Sequence, residues 1–176
     1  MIADHQRDAA ATVVVCAFFA SAWFGWAQDS PPRAWVVPLA VASVGSVLLA
    51  VLGALLTWQR WTDGTALDRE TAQAFGVVVA VEVVVAGVGA AVLSRSGQGE
   101  YTPVWIALVV GVHFIPLAPM LEYPLFYLVA AGVVVAAVVG VPVARSAELP
   151  LSAVTGVGTG SVLLAAALFS LATVVP

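Results

Sequence analysis

The run from Trp35 to Trp58, WVVPLAVASVGSVLLAVLGALLTW, holds no charged residue and is closed at each end by a tryptophan. A bilayer core about 30 Å thick needs roughly 20 apolar residues in a helix rising about 1.5 Å per residue, and this run is long enough. Tryptophan is enriched where hydrocarbon meets water. The segment reads as a membrane-spanning helix. The same criterion finds five others, giving spans at approximately 9–27, 35–58, 75–93, 103–121, 124–143 and 153–175.

Composition agrees. Of 176 residues, 62% are hydrophobic and 9% charged, with a mean hydropathy of +1.06; soluble domains carry about 25% charged residues. The runs are rich in valine, but the apolar-out, polar-in alternation of a membrane β-barrel is absent. The expected fold is all-α, a polytopic transmembrane six-helix bundle forming a single integral membrane domain over 1–176, in the cell membrane. The lipid bilayer is its first partner.

Charge excludes other partners. There is no lysine, and Arg7, Arg33, Arg60, Arg69, Arg95 and Arg145 all fall between the runs. No basic cluster exists for nucleic acid or anionic headgroups. The arginines divide evenly between the two faces, so they do not set an orientation. Met1 to Asp8 carries Asp4 and Asp8 against Arg7, whereas a cleaved leader starts positive; the first run is therefore read as a retained span. Its lone Cys16 cannot form an intrachain disulfide and reads as a small buried hydrophobe.

The connections have loop chemistry. Thr62 to Ala74 is the longest, and Thr65 with Asp68 has capping-box spacing, so the third helix is expected to start early. Trp23, Trp26, Trp35, Trp58, Trp61, Trp105 and Tyr101 are read as interfacial belts. Asp29 and Arg33 bracket Pro31-Pro32 in what reads as a solvated turn, Glu122-Tyr123 reads as a short loop, and His5 as a solvated terminal residue. Gly156-Val-Gly-Thr-Gly160 lacks the strand that precedes a phosphate loop and reads as a close-packing surface for the sixth helix.

Away from their ends, the six runs contain two ionisable residues, Glu82 and His113. Such groups are costly in hydrocarbon and face protein partners. The third and fourth helices are antiparallel; Glu82 lies eleven residues before Leu93 and His113 ten after Pro103, about 16 and 15 Å from one membrane face. They share a depth. Phe75, Val79, Ala86 and Gly89 share the Glu82 face, and the small residues permit close packing. Pro116 cannot bond the carbonyl of Val112, nor Pro119 that of Ile115, so a kink is expected just after His113.

Glu82 and His113 are thus the candidate catalytic or proton-exchanging pair, with Phe75, Trp105, Phe114 and Pro116 as candidate substrate-binding residues. A purely structural interhelical clamp is the alternative. No second histidine or cysteine stands at ligand spacing, so no metal site is read, and no cofactor motif is present.

The segments Phe75-Gly-Val-Val-Val-Ala-Val-Glu82 and Trp105-Ile-Ala-Leu-Val-Val-Gly-Val-His-Phe-Ile-Pro-Leu-Ala118 resemble a group of small, uncharacterised multi-pass membrane proteins common in actinobacteria. The resemblance covers the third to fifth helices and rests on the buried glutamate together with the G-V-H-F-x-P-L-A run. It implies that Glu82, Trp105, His113 and Pro116 belong to one shared feature, and it implies no particular activity.

Three functions fit the residues. The leading one is transport of a small solute or cation by a protonatable membrane carboxyl group, with a homo-oligomer forming the pathway. The second is an intramembrane enzyme using Glu82 as a Brønsted acid on an apolar, isoprenoid-like substrate. The third is an accessory or structural subunit. The ligand class is accordingly a small apolar or cationic molecule.

Overall fold

Six helices, each long and apolar enough to cross a bilayer, build the protein. A computed structural model describes residues 5–175, so Asp4 lies outside the described residues. In hydrocarbon every backbone polar group must be satisfied within its own segment, and these valine-rich stretches form α1 (Gln6–Trp26), α2 (Val36–Gln59), α3 (Arg69–Arg95), α4 (Thr102–Met120), α5 (Leu125–Ser146) and α6 (Leu151–Val174). Single 3₁₀ turns, Arg33–Trp35 and Gly99–Tyr101, lead into α2 and α4. No strand occurs among the described residues.

The helices pack in the spatial order α2, α1, α6, α5, α4, α3, with α6 also touching α2 and α4. Small residues let them approach. A side chain at Gly156 would strike the backbone of Trp23 in α1 and of Ala27 just beyond it, one at Gly160 the ring of Phe24, and one at Gly111 the backbone and Val134 side chain of α5. The glycine-rich start of α6 is therefore a packing surface. Cys16 is 1% exposed among the alanines of α1.

Helix ends explain the shifted boundaries. Asp68, and not Thr65, caps α3: its carboxylate accepts the Thr71 N–H at 2.8 Å, and the helix begins at Arg69. The backbone N–H of Thr71 beside Asp68 holds its carboxyl below the usual carboxylate range. At the C-termini of α3, α4 and α5 the chain turns through left-handed residues, Gly97, Glu122 and Glu148. The following N–H groups of Gln98, Tyr123 and Leu149 reach back to Leu93, Ala118 and Ala144 at 2.8, 3.0 and 2.8 Å. This is the Schellman arrangement that occupies orphan carbonyls.

Two expectations, on Trp23 and His5, need correction. Trp23 is 5% exposed and stacks on Trp26 with ring centroids 5.4 Å apart, so it fills the core. Trp58, 80% exposed, does face outward. Tyr123 lies in the expected loop between α4 and α5 and is fully buried there; its hydroxyl shares a 2.9 Å hydrogen bond with Ser170 and ties the α4–α5 corner to α6. His5 is not simply solvated: its Nε2 lies 3.5 Å from Glu122 Oε2.

That contact belongs to a clasp across the end of the bundle holding the α2–α3 connection. The buried Asp8 carboxylate accepts the Thr65 hydroxyl and the Ala66 N–H, each at 2.7 Å. Arg7 stands over the Trp61 ring, 4.1 Å from its centroid, and Arg60 donates to the Val174 carbonyl at 2.7 Å. At the opposite end Arg145 bonds Glu100 at 3.0 Å and the Tyr101 hydroxyl at 2.6 Å. No ion pair joins Asp29 to Arg33 among the described residues.

Candidate functional site

α3 has no fully buried residue, and among the described residues α4 is its only α-helical neighbour. Its half-buried positions include Phe75, Val78, Val79, Glu82, Ala86, Gly89 and Leu93, the spacing of a helix laid along one partner at a shallow angle. Glu82 therefore points at α4, not into the middle of the bundle. Its Oε2 lies 3.3 Å from His113 Nδ1, with the side chains 19% and 10% exposed.

This is a close approach and not an aligned hydrogen bond. Nδ1 is screened from solvent and makes no hydrogen bond of good geometry to any described group. Either proton arrangement suits the distance: an imidazolium facing a carboxylate, or a carboxylic acid donating to an unprotonated Nδ1.

The pair sits in the wall of a groove of about 510 Å³ formed by α3 and α4, within the usual size range of small-molecule sites. From α3 it is lined by Val77, Val78, Val81, Glu82 and Val85; from α4 by Trp105, Leu108, Val109, Val112, His113 and Pro116. Glu82 and His113 are the ionisable side chains in this wall. Val77 and Val112 are 63% and 57% exposed, so the groove opens sideways from the helix pair.

Trp105 closes one end. Its indole N–H donates to the Val85 carbonyl at 3.2 Å, and the ring occupies the space that any side chain at Gly89 would need. At the other end α4 runs helically through Pro116 and Pro119 to Met120, so the prolines do not break the helix. Pro116 nevertheless brings no N–H to the Val112 carbonyl, and both residues line the groove.

Of the residues singled out in the sequence, Glu82, His113, Trp105 and Pro116 come together here. Phe75 and Phe114 do not line the groove. Phe75 packs at the edge of the core; Phe114 is buried against Phe126 of α5 with ring centroids 5.4 Å apart, and meets His113 edge-on at 5.9 Å. The valines of the groove wall carry no sequence signal of their own. Antiparallel register from the equal depth of Glu82 and His113 would have located them. No group of three or more potential metal-ligating residues occurs among the described residues. No protein-family model matches the chain, and comparison with curated proteins and with solved structures likewise finds no match.

Proposed function

We propose that this integral membrane protein, working in the cell membrane, takes up a lipophilic small molecule sideways from the bilayer into the α3–α4 groove. Glu82 and His113 serve there as a proton-exchanging pair. The observation that carries this reading is the 3.3 Å approach of a carboxyl group and an imidazole in the wall of an otherwise apolar, laterally open groove. Carboxyl and imidazole groups are the usual side chains of general acid–base chemistry. The groove supports an intramembrane binding or catalytic role on an apolar, isoprenoid-like substrate over solute transport. A solute pathway needs water to reach Glu82 from both faces, and the groove is walled by valine, leucine and tryptophan. A structural clamp would call for solid packing around the pair in place of a groove. The motif resemblance to small actinobacterial membrane proteins is consistent with a shared site of this kind.

Infrared difference spectroscopy on protein in lipid nanodiscs tests the proton-exchange role. A protonated-carboxyl band that changes with pH and with added lipophilic ligand, and is lost in Glu82→Gln, is the expected result. A wild-type spectrum indifferent to ligand, or a responsive band that survives Glu82→Gln, rejects Glu82 as the exchanging group.

A further inference from the structure

The hydrogen-bonding capacity of the groove is concentrated near one point and incompletely used. The Glu82 carboxyl, 19% exposed, stands in the wall with His113 Nδ1 screened behind it, and the Val112 carbonyl one residue from His113 lacks the helical donor that Pro116 cannot supply. A hydroxyl group donates one hydrogen bond and accepts two. It can answer a carboxyl group and a carbonyl together, whether or not the carboxyl holds its proton.

Anionic and quaternary ammonium head groups fit less well. No arginine or lysine lines the groove, so a phosphate or carboxylate would enter hydrocarbon without a countercharge, against a strong penalty. A quaternary ammonium would look for an aromatic cage. The groove's aromatic wall is Trp105, eight residues and about 12 Å along α4 from His113, with its N–H engaged by Val85.

The groove is also asymmetric about the pair. From His113 it extends three residues to Pro116 but eight to Trp105, about 5 Å against about 12 Å, and the longer arm passes the apolar side chains Leu108 and Val109. Resting on the lateral-uptake reading above, we infer that the ligand is a neutral lipid-soluble alcohol. Its hydroxyl sits between the Glu82 carboxyl, which His113 backs, and the Val112 carbonyl, and its hydrocarbon lies along the longer arm and ends against Trp105.

Photoaffinity labelling of the wild-type protein in nanodiscs tests this, using one diazirine-bearing hydrocarbon chain as the alcohol, the primary amine, the carboxylic acid and the plain alkane. Saturable labelling of α3 and α4 by the alcohol is expected. It should be displaced by untagged alcohol at concentrations at least tenfold lower than by the untagged amine, acid or alkane, and moved toward Trp105 as the diazirine is placed further from the hydroxyl. Equal saturable labelling by alkane and alcohol overturns the alcohol inference and leaves lateral uptake standing. Preference for amine or acid overturns it in favour of a charged head group. Absence of saturable labelling by every probe rejects both lateral uptake and the inference. In Glu82→Ala, alcohol labelling should fall at least tenfold while alkane labelling stays unchanged; unchanged alcohol labelling removes Glu82 from the binding set.

Discussion

The indole of Trp105 occupies the place where Gly89 would carry a side chain, so α3 and α4 are keyed together by one residue that is absent in bulk and one that fills the gap. Gly89→Ala should displace the ring, break its hydrogen bond to Val85 and destabilise the protein by about 1–3 kcal/mol, the usual cost of overpacking. Trp105→Ala in the Gly89→Ala background should recover part of that loss. Unfolding midpoints of the four proteins in one detergent give the coupling, and strict additivity would contradict the keyed packing.

Glu82 and His113 should also be coupled. Removing either leaves the other facing a poorly solvated wall, at about 1–3 kcal/mol for an unsatisfied polar group. The double variant Glu82→Ala/His113→Ala should cost less than the sum of the singles, by about 0.5–3 kcal/mol. A double-mutant cycle in lipid nanodiscs checks this.

Asp8 anchors the connection between α2 and α3 through two donors on Thr65 and Ala66. Asp8→Ala orphans both, and an unmade buried hydrogen bond costs about 1–3 kcal/mol. Protease cleavage within residues 60–68 should become faster, with Asp8→Asn intermediate because its amide keeps one acceptor oxygen. Equal cleavage rates in all three proteins would place the anchor elsewhere.

Glu148 turns the chain at φ 53, where a Cβ clashes and glycine does not. Glu148→Gly should stabilise the protein by up to about 1 kcal/mol, the relieved clash being partly offset by the freer unfolded chain. A lower melting midpoint would show that the glutamate side chain contributes more than its backbone costs. Glu122 is a poorer test because it also meets His5.

Asp68 supplies the pH dependence. Its carboxyl is held below its ordinary range by the Thr71 N–H, so the folded state binds a proton less readily than the unfolded chain. The stabilisation is present above the unfolded pKa and is lost as pH falls through the folded one. Hydrogen exchange at the start of α3, corrected for intrinsic rates, should lose protection as the solution is acidified through and below the usual carboxylate range. Asp68→Asn, an equally good cap that does not titrate, should remove that dependence.

The six spans were legible because hydropathy over about 20 residues is a strong signal, and the shared depth of Glu82 and His113 followed from helical rise alone. The side on which each helix meets lipid was not. A valine facing acyl chains and a valine facing another helix look alike in sequence, since lipid is as apolar as a protein core. For that reason the sequence places α3 in the bundle without showing that, among the described residues, α4 is the one long helix it packs against. Trp23 failed similarly: tryptophan near a span end suits a headgroup belt, but here α1 turns it toward Trp26 and the core. Phe114 lies beside His113 in sequence, yet one step along a helix rotates it to α5.

The spatial order of the helices has a consequence for synthesis. Although consecutive in the chain, α2 and α3 do not touch among the described residues. When α3 leaves the ribosome none of its neighbours exists, and it must wait in lipid for α4. α1 packs broadly against α6, five helices later in the chain, so it holds an open flank until α6 has been made. A nascent chain arrested before α6 would present the alanine face of α1, with Phe24, to the bilayer, giving quality-control factors a marker of an unfinished molecule.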